Sequence, residues 1–365
     1  MGDMIPIPYF CRAGTVPGWG LSLCEPSGKR EIGIMSPYFG LSCIINSMKR
    51  MLVAGAVLAL AAAACAGQQG TKPVAAAFDA SSAYDFVMKQ VEFGPRVPGT
   101  PAHEACADWF VKTLKQWTPD VHVQEFKARA YDGRPLDGKN VIASFNPAAK
   151  DRILLCAHWD SRPFADRDPD AANHFKPVLG ANDGASGVGV LLEVARSLSL
   201  KKPAAGVDIL LLDLEDFGEH ANWRGSAEDA WGLGSQYWAK NPYPPGYKAR
   251  FGILLDMVGA AGAVFPREGT SMSFAPAIVR KVWDLARGLG LSKYFIDKES
   301  ERLVDDHLYI NGYAGIPTID IIDYDGPRGG FPSTWHTVGD TLDKIDKDTL
   351  AAVGRTVLAV VYQEK

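Results

Sequence analysis

The chain reads as an α/β protein: a single domain with a mostly parallel, mixed central sheet flanked by helices. Three observations predict this. From about Phe78 onward, segments with helical apolar spacing alternate with short runs rich in Val, Ile and Leu. Runs such as Asp208-Ile209-Leu210-Leu211-Leu212 lack polar alternation, as strands covered on both faces do. No internal repeat and no second core unit breaks the pattern.

In chain order, Ser81–Gln90 shows helical spacing, and so does His103–Trp117, with Trp109, Phe110 and Leu114 on one face. Strands are expected at Asn140–Phe145, Arg152–His158, Val207–Leu214, Gly252–Met257 and Pro317–Ile322. Helices are expected at Gly187–Leu198, Pro276–Leu289 and Lys347–Val361, with a short helical piece at Leu308–Asn311.

Composition narrows the function classes. Of 365 residues, 47% are hydrophobic and 22% charged, the balance of a soluble globular protein. This excludes a disordered tail, a collagen-like fibre and a polytopic membrane protein. The formal net charge of −4 leaves no basic footprint for nucleic acid. Six cysteines are too few for a disulfide scaffold in so long a chain. Cys106 and Cys156 read as small buried residues.

The first segment is not expected to be part of the fold. Met48-Lys49-Arg50 precedes an uncharged apolar run from Met51 to Ala64, then Cys65. A basic start, a short apolar core and small residues before a break form a signal-peptide pattern over 48–64. The run is shorter than the ~20 residues that span a bilayer. Ala62-Ala63-Ala64-Cys65 resembles a bacterial lipobox, so Cys65 is the expected lipidation site and 65–77 a tether. Residues 1–47 then read as an upstream, non-native extension. The expected location is exported and periplasmic, as an outer-membrane lipoprotein touching the membrane only through its lipid anchor.

In open α/β sheets, ligands gather at the carboxyl ends of strands. Acidic residues and histidines stand there. His158 and Asp160 follow the run Leu154–Ala157; spacing of two in extended chain puts both on one side, so Asp160 is placed to orient the imidazole. Asp183 lies in Gly180-Ala181-Asn182-Asp183-Gly184, ahead of an apolar helix; taken singly it reads as a helix cap. Glu215 and Asp216 end the most apolar run, where adjacent side chains facing opposite ways would let one bind a cation and the other move protons. Asp256 ends the next strand, and His336 follows Trp335 ahead of Asp340. Two histidines with several carboxylates at successive strand ends suit zinc.

This ordered set, with Phe93-Gly94-Pro95-Arg96-Val97-Pro98-Gly99-Thr100 near the start, resembles the M28 family of zinc aminopeptidases and glutaminyl cyclases over roughly residues 80–360. The resemblance implies the zinc aminopeptidase-like (phosphorylase/hydrolase-like) fold and two candidate chemistries. In the aminopeptidases two zinc ions share Asp183; Asp216 and His336 serve one, His158 and Asp256 the other, and Glu215 activates water. In the cyclases a single Zn2+ takes the positions of Asp183, Asp216 and His336, and His158 is a vestigial ligand turned away from it.

Three features resemble the cyclases: Trp335-His336-Thr337; Val304-Asp305-Asp306-His307, whose Asp306 is expected to pair with Asp256; and Trp223 followed by Leu233-Gly234-Ser235, across a Phe217–Asn222 stretch longer than in animal members. The loop Ser161–Leu179 resembles bacterial cyclases. The resemblance therefore implies conversion of N-terminal glutamine of peptides and proteins to pyroglutamate, with Glu215, Asp256 and Asp306 catalytic and Trp223 and Trp335 walling the substrate pocket. A non-catalytic binding module would need a broken ligand set, and none of the matched positions is broken. A carboxypeptidase fits the order of these residues less well.

Overall fold

In the computed structural model, which describes residues 78–225, 230–324 and 330–365, the fully apolar runs form the middle of one sheet. The signal-peptide-like segment, Cys65 and the tether lie outside the described residues. Six strands, β1 (Val121–Arg129), β2 (Pro135–Phe145), β3 (Arg152–His158), β4 (Gly206–Leu212), β5 (Phe251–Asp256) and β8 (Thr318–Ile322), pair in the order β1-β2-β4-β3-β5-β8. The three pairings among β4, β3, β5 and β8 are parallel, and β1 and β2 add an antiparallel hairpin at one edge.

Strand periodicity sorts the side chains into two layers. Ala143, Ile209, Leu155, Ile253 and Ile319 form one row across five strands and face the main core. There they meet helices α1 (Ala80–Glu92), α2 (Pro101–Leu114), α3 (Ala185–Leu200), α6 (Pro276–Gly288) and α8 (Lys347–Gln363). One residue along each strand, Leu210, Cys156 and Leu254 face the opposite layer, against Trp238 of α4 (Leu233–Lys240) and Ile310. Cys106 and Cys156 are buried and unbridged.

Local chemistry fixes the helix starts. The Asp79 carboxylate accepts from the N–H groups of Ser81 and Ser82 at the head of α1, and Asp346 accepts from Thr349 at the head of α8. Thr100 caps α2, and Pro101 opens it, where its missing N–H costs nothing.

The expected elements are present with shifted ends, and five strands and α-helices are additional. Strand β1 escaped the sequence pattern because it is a half-exposed edge with polar residues on both faces. The short parallel pair β6 (Phe265–Arg267) and β7 (Phe295–Glu299) and the helices α4 and α5 (Gly269–Phe274) are too brief for periodicity to declare them. Asp306–Tyr309 forms a single helical turn, α7, continued as a wider turn over Ile310–Ala314.

Arg96, from the Phe-Gly-Pro-Arg motif, ties two site loops together. It is fully buried and donates to the carbonyls of Trp159, Leu179 and Gly180 at 2.9, 2.8 and 2.7 Å. Replacing it with alanine would leave three carbonyls without their donor. We expect Arg96→Ala to lower stability by about 3 kcal/mol, seen as a Tm drop of roughly 5–10 °C in thermal unfolding. A Tm within a degree or two of the parent would contradict this role.

Candidate active site

Strand ends and the loops after them carry the site. His158 is the last residue of β3 and Asp256 the last of β5. Strand β4 ends at Leu212, two residues earlier than the sequence pattern suggests. Leu214 then adopts a left-handed backbone (φ 58°), so Glu215 and Asp216 sit on a turn and do not alternate along a strand. Met257 (φ 48°) and His336 (φ 54°) share that rare conformation. Each such residue costs of order 1–3 kcal/mol, and strain of this kind collects where function demands a set backbone.

The turn after β4 is held by carboxylates that take no part in the cluster it presents. Asp160 accepts from the backbone N–H groups of Glu215 and Asp216 at 3.1 and 3.2 Å. The His158 Nδ1, which Asp160 is expected to orient, lies 3.6 Å from Asp160 Oδ1. Asp213 accepts from His103 Nε2 at 2.9 Å and from the Lys139 N–H at 2.7 Å. Asp340 likewise accepts from Asn182 and Asp183 N–H groups, fixing the Asp183 turn.

Asp183 is not a helix cap. Gly184 takes that position in α3 without a side-chain bond, and the Asp183 carboxylate divides between two histidines. One oxygen is 3.0 Å from His158 Nε2, the other 3.8 Å from His336 Nε2. His336 Nε2 is also 3.1 Å from Asp216 Oδ1, and His158 Nε2 3.2 Å from Asp256 Oδ1. Two donor sets result, Asp183–Asp216–His336 and His158–Asp183–Asp256, sharing Asp183. His158 is thus not turned away from the cluster, as a vestigial ligand would be.

The residues fit a divalent cation. Asp216 Oδ1 is buried without a hydrogen-bond donor. Burial, aided by the Arg162 charge, holds His336 well below the ordinary histidine range, so its imidazole is neutral, as a ligand must be. Burial and the neighbouring Asp183 push Asp216 well up, the signature of a carboxylate lacking a compensating charge. Burial alone would lower His158, but contacts with Asp160, Asp183 and Asp256 outweigh it and raise it. Burial, with Asp183 and Asp305 nearby, pushes Asp256 up to about 7. Two oxygens and one imidazole nitrogen are zinc-type donors.

These donors open into a cavity of about 450 Å³. Trp223 and Trp335 line it as expected, and Trp231 lines it as well. Trp335 stacks on the His336 ring at 3.8 Å, and Trp231 lies parallel to it at 6.0 Å. Glu215 lines the cavity and is buried; burial, then the charges of Asp305, Asp216 and Asp306, raise its carboxyl well above the usual range against the opposing pull of His158.

Asp306 does not line the cavity; Asp305 does, beside Asp256. Where the sequence reading expects Asp306 to pair with Asp256, the charge felt at Asp256 from this segment is that of Asp305, whose carboxylate also accepts from the Asp306 N–H at the head of α7. Both aspartates are buried, so this segment is no solvated turn.

Arg162 and Asp166 went unseen in the sequence. Arg162 is buried, holds Asp166 through two hydrogen bonds of 3.0 and 2.8 Å, and comes within 3.5 Å of Asp216 Oδ1. Asp166 thus already balances the Arg162 charge. A tryptophan beside Gly232-Leu233-Gly234-Ser235 was the available signal for Trp231. Nothing local marked Arg162, whose role depends on how the loop Ser161–Leu179 folds back.

Fold and site together define a class. Residues 140–361 match peptidase family M28, and the chain belongs to that family. It is 28% identical to the glutaminyl-peptide cyclotransferase of Bos taurus over 305 residues, 73% of this chain and 78% of that one. Among solved structures it resembles Bacteroides thetaiotaomicron glutaminyl cyclase bound to N-acetylhistamine, with 53% identity and a TM-score of 0.78 over 79% of this chain and 99% of that chain. A Zn-dependent exopeptidase from Parabacteroides distasonis is similar too, at 48% identity and TM-score 0.78 over 80% of this chain and 100% of that chain. Among the described residues no helix is long and apolar enough to cross a membrane.

Proposed function

We infer that this chain is a zinc-dependent glutaminyl-peptide cyclotransferase, closing the N-terminal glutamine of peptides and proteins into pyroglutamate with release of ammonia. The observation that carries the reading is buried Glu215 beside the Asp183–Asp216–His336 donor set, in an aromatic-walled cavity of a chain similar to named glutaminyl cyclases.

In the reaction the peptide's α-amine nitrogen bonds to the side-chain carbonyl carbon of the same glutamine. The bond from that carbon to the amide nitrogen breaks, and that nitrogen leaves as ammonia. Both reacting groups belong to one residue, so the protein's task is to fold that residue on itself and move one proton. Glu215 takes the proton from the amine and hands it to the departing nitrogen, returning to its starting state. Its raised proton affinity suits this double role. Zinc, when held by Asp183, Asp216 and His336, supplies positive charge for the side-chain carbonyl oxygen. Trp223, Trp231 and Trp335 exclude water and hold the flat amide.

Asp256 and Asp305 accept hydrogen bonds from the amine and amide N–H groups. We expect Asp305→Asn to lower kcat/KM by roughly 10–100-fold, and Asp306→Asn to lower it much less in folded protein. The reverse order would return the role to Asp306.

The second donor set and the exopeptidase neighbour favour one competing reading, a di-zinc aminopeptidase. In the cyclase reading His158 hydrogen-bonds Asp256 and lies against the Asp183 carboxylate, and no second ion is needed there. Metal-free enzyme titrated with zinc, with ammonia release from a glutaminyl peptide as the readout, separates the two. Activity saturating at one equivalent supports the cyclase; a requirement for two equivalents, with free amino acid released, supports the peptidase. The basic start, apolar run and Cys65 of residues 48–65 support export with lipid attachment at that cysteine, with the catalytic domain in the periplasm.

A further inference from the structure

We propose that the mouth of this cavity selects peptides carrying an acidic side chain next to the glutamine, through Arg167 and Arg302; this rests on the cyclase reading and names the substrate class of the same site.

The charges around the cavity are sorted by depth. Its carboxylates, from Asp183 and Glu215 outward to Glu219, are buried or half-buried. Among the described residues, the charged ones that line it and are exposed are both arginines, Arg167 and Arg302. Arg167 belongs to the long loop after β3, and Arg302 to the connection between β7 and α7.

Neither guanidinium has an acidic partner among the described residues. Elsewhere on the surface Arg250 and Arg267 are each paired, with Glu364 and Asp297 at 2.7 Å. The two mouth arginines are nonetheless well placed. The Arg167 N–H donates to the His336 carbonyl at 3.1 Å, and its guanidinium lies over the Trp335 ring at 5.4 Å. The residue after Arg302, Leu303, donates its N–H to the buried Glu268 carboxylate at 2.8 Å.

Cyclisation uses the amine and side chain of the first residue, so both must lie deep in the cavity. The chain then leaves through the mouth, and the next side chain is the first to meet exposed charge. A carboxylate there finds one or two forked guanidinium groups that have no acidic partner among the described residues. An ammonium finds two like charges within a Debye length, about 8 Å at physiological salt. Exposed pairs are individually weak, so the two together are expected to give about a tenfold preference.

The experiment measures kcat/KM for three peptides that differ only at the second residue, Gln-Glu, Gln-Ala and Gln-Lys, at low and at high salt. The parent enzyme should prefer Glu over Lys about tenfold, mainly through KM, and the preference should shrink at high salt. The ratio should fall towards one in the R167A/R302A variant and invert in R302E, which leaves the Arg167–Trp335 contact in place. Equal rates for Glu and Lys peptides in the parent enzyme would overturn the proposal, as would a preference untouched by both variants. Failure of all three peptides to form pyroglutamate would overturn the cyclase reading and this inference with it.

Discussion

Glu215→Gln lowers turnover of a glutaminyl peptide by roughly 10²–10⁴-fold while zinc content stays at the parent level. The amide keeps the size and hydrogen-bonding reach of the carboxylate but takes up no proton. Glu215 belongs to neither donor set, so the metal should not notice the change. The turn that presents it is anchored through backbone N–H groups to Asp160, and those bonds do not depend on the Glu215 side chain. Circular dichroism and Tm should match the parent, and the loss should appear in kcat. A variant retaining a tenth or more of parent activity would remove Glu215 from proton transfer.

The second large effect falls on the metal. His336→Ala removes the nitrogen donor shared with Asp183 and Asp216, so zinc affinity should fall by more than the roughly 10–100-fold that loss of an outer partner costs. Turnover should vanish at stoichiometric zinc. The variant also uncovers the face on which Trp335 stacks and leaves a Cβ on a left-handed backbone, so stability must be measured beside activity. Zinc binding measured by competition with a chromophoric chelator, beside the rate, separates lost metal from lost fold. Unchanged zinc affinity would mean that the ion sits elsewhere, with His158–Asp183–Asp256 and Asp305–His307–Asp320 as the other donor sets among the described residues.

The sequence was informative where burial forces composition. Strands β3, β4, β5 and β8 are covered on both faces, so they are mostly apolar, Asp208 in β4 and Asp320 in β8 being the interior exceptions, and the site residues follow at the ends of β3, β4 and β5. His158 and Asp256 could be found for that reason. Edge strand β1 has one fully buried residue, Phe126, and left no such trace.

What hid the rest was loop geometry. Leu214 and His336 adopt left-handed backbones that their residue types do not announce, so the facing of Glu215 and Asp216 could not be derived from strand alternation. The choice between Asp305 and Asp306 turns on which carboxylate caps the α7 turn, a one-residue question that spacing leaves open. Arg162 reaches Asp216 only because the loop from 161 to 179 folds back over the β4 end, and Arg96 fixes the start and close of that loop from a motif far upstream. Contacts between residues so distant in sequence are set by packing, which local patterns do not encode.

The central claim, ring closure in place of hydrolysis, is tested most directly by the mass of the product. Zinc-loaded enzyme is given two peptides in one tube, identical except for an N-terminal glutamine in one and leucine in the other, and both are followed by mass spectrometry. The account predicts that the glutaminyl peptide loses the mass of one ammonia with its chain intact, while the leucyl peptide is unchanged. Shortened peptides with free leucine or glutamine in solution would contradict it and make this site a peptidase.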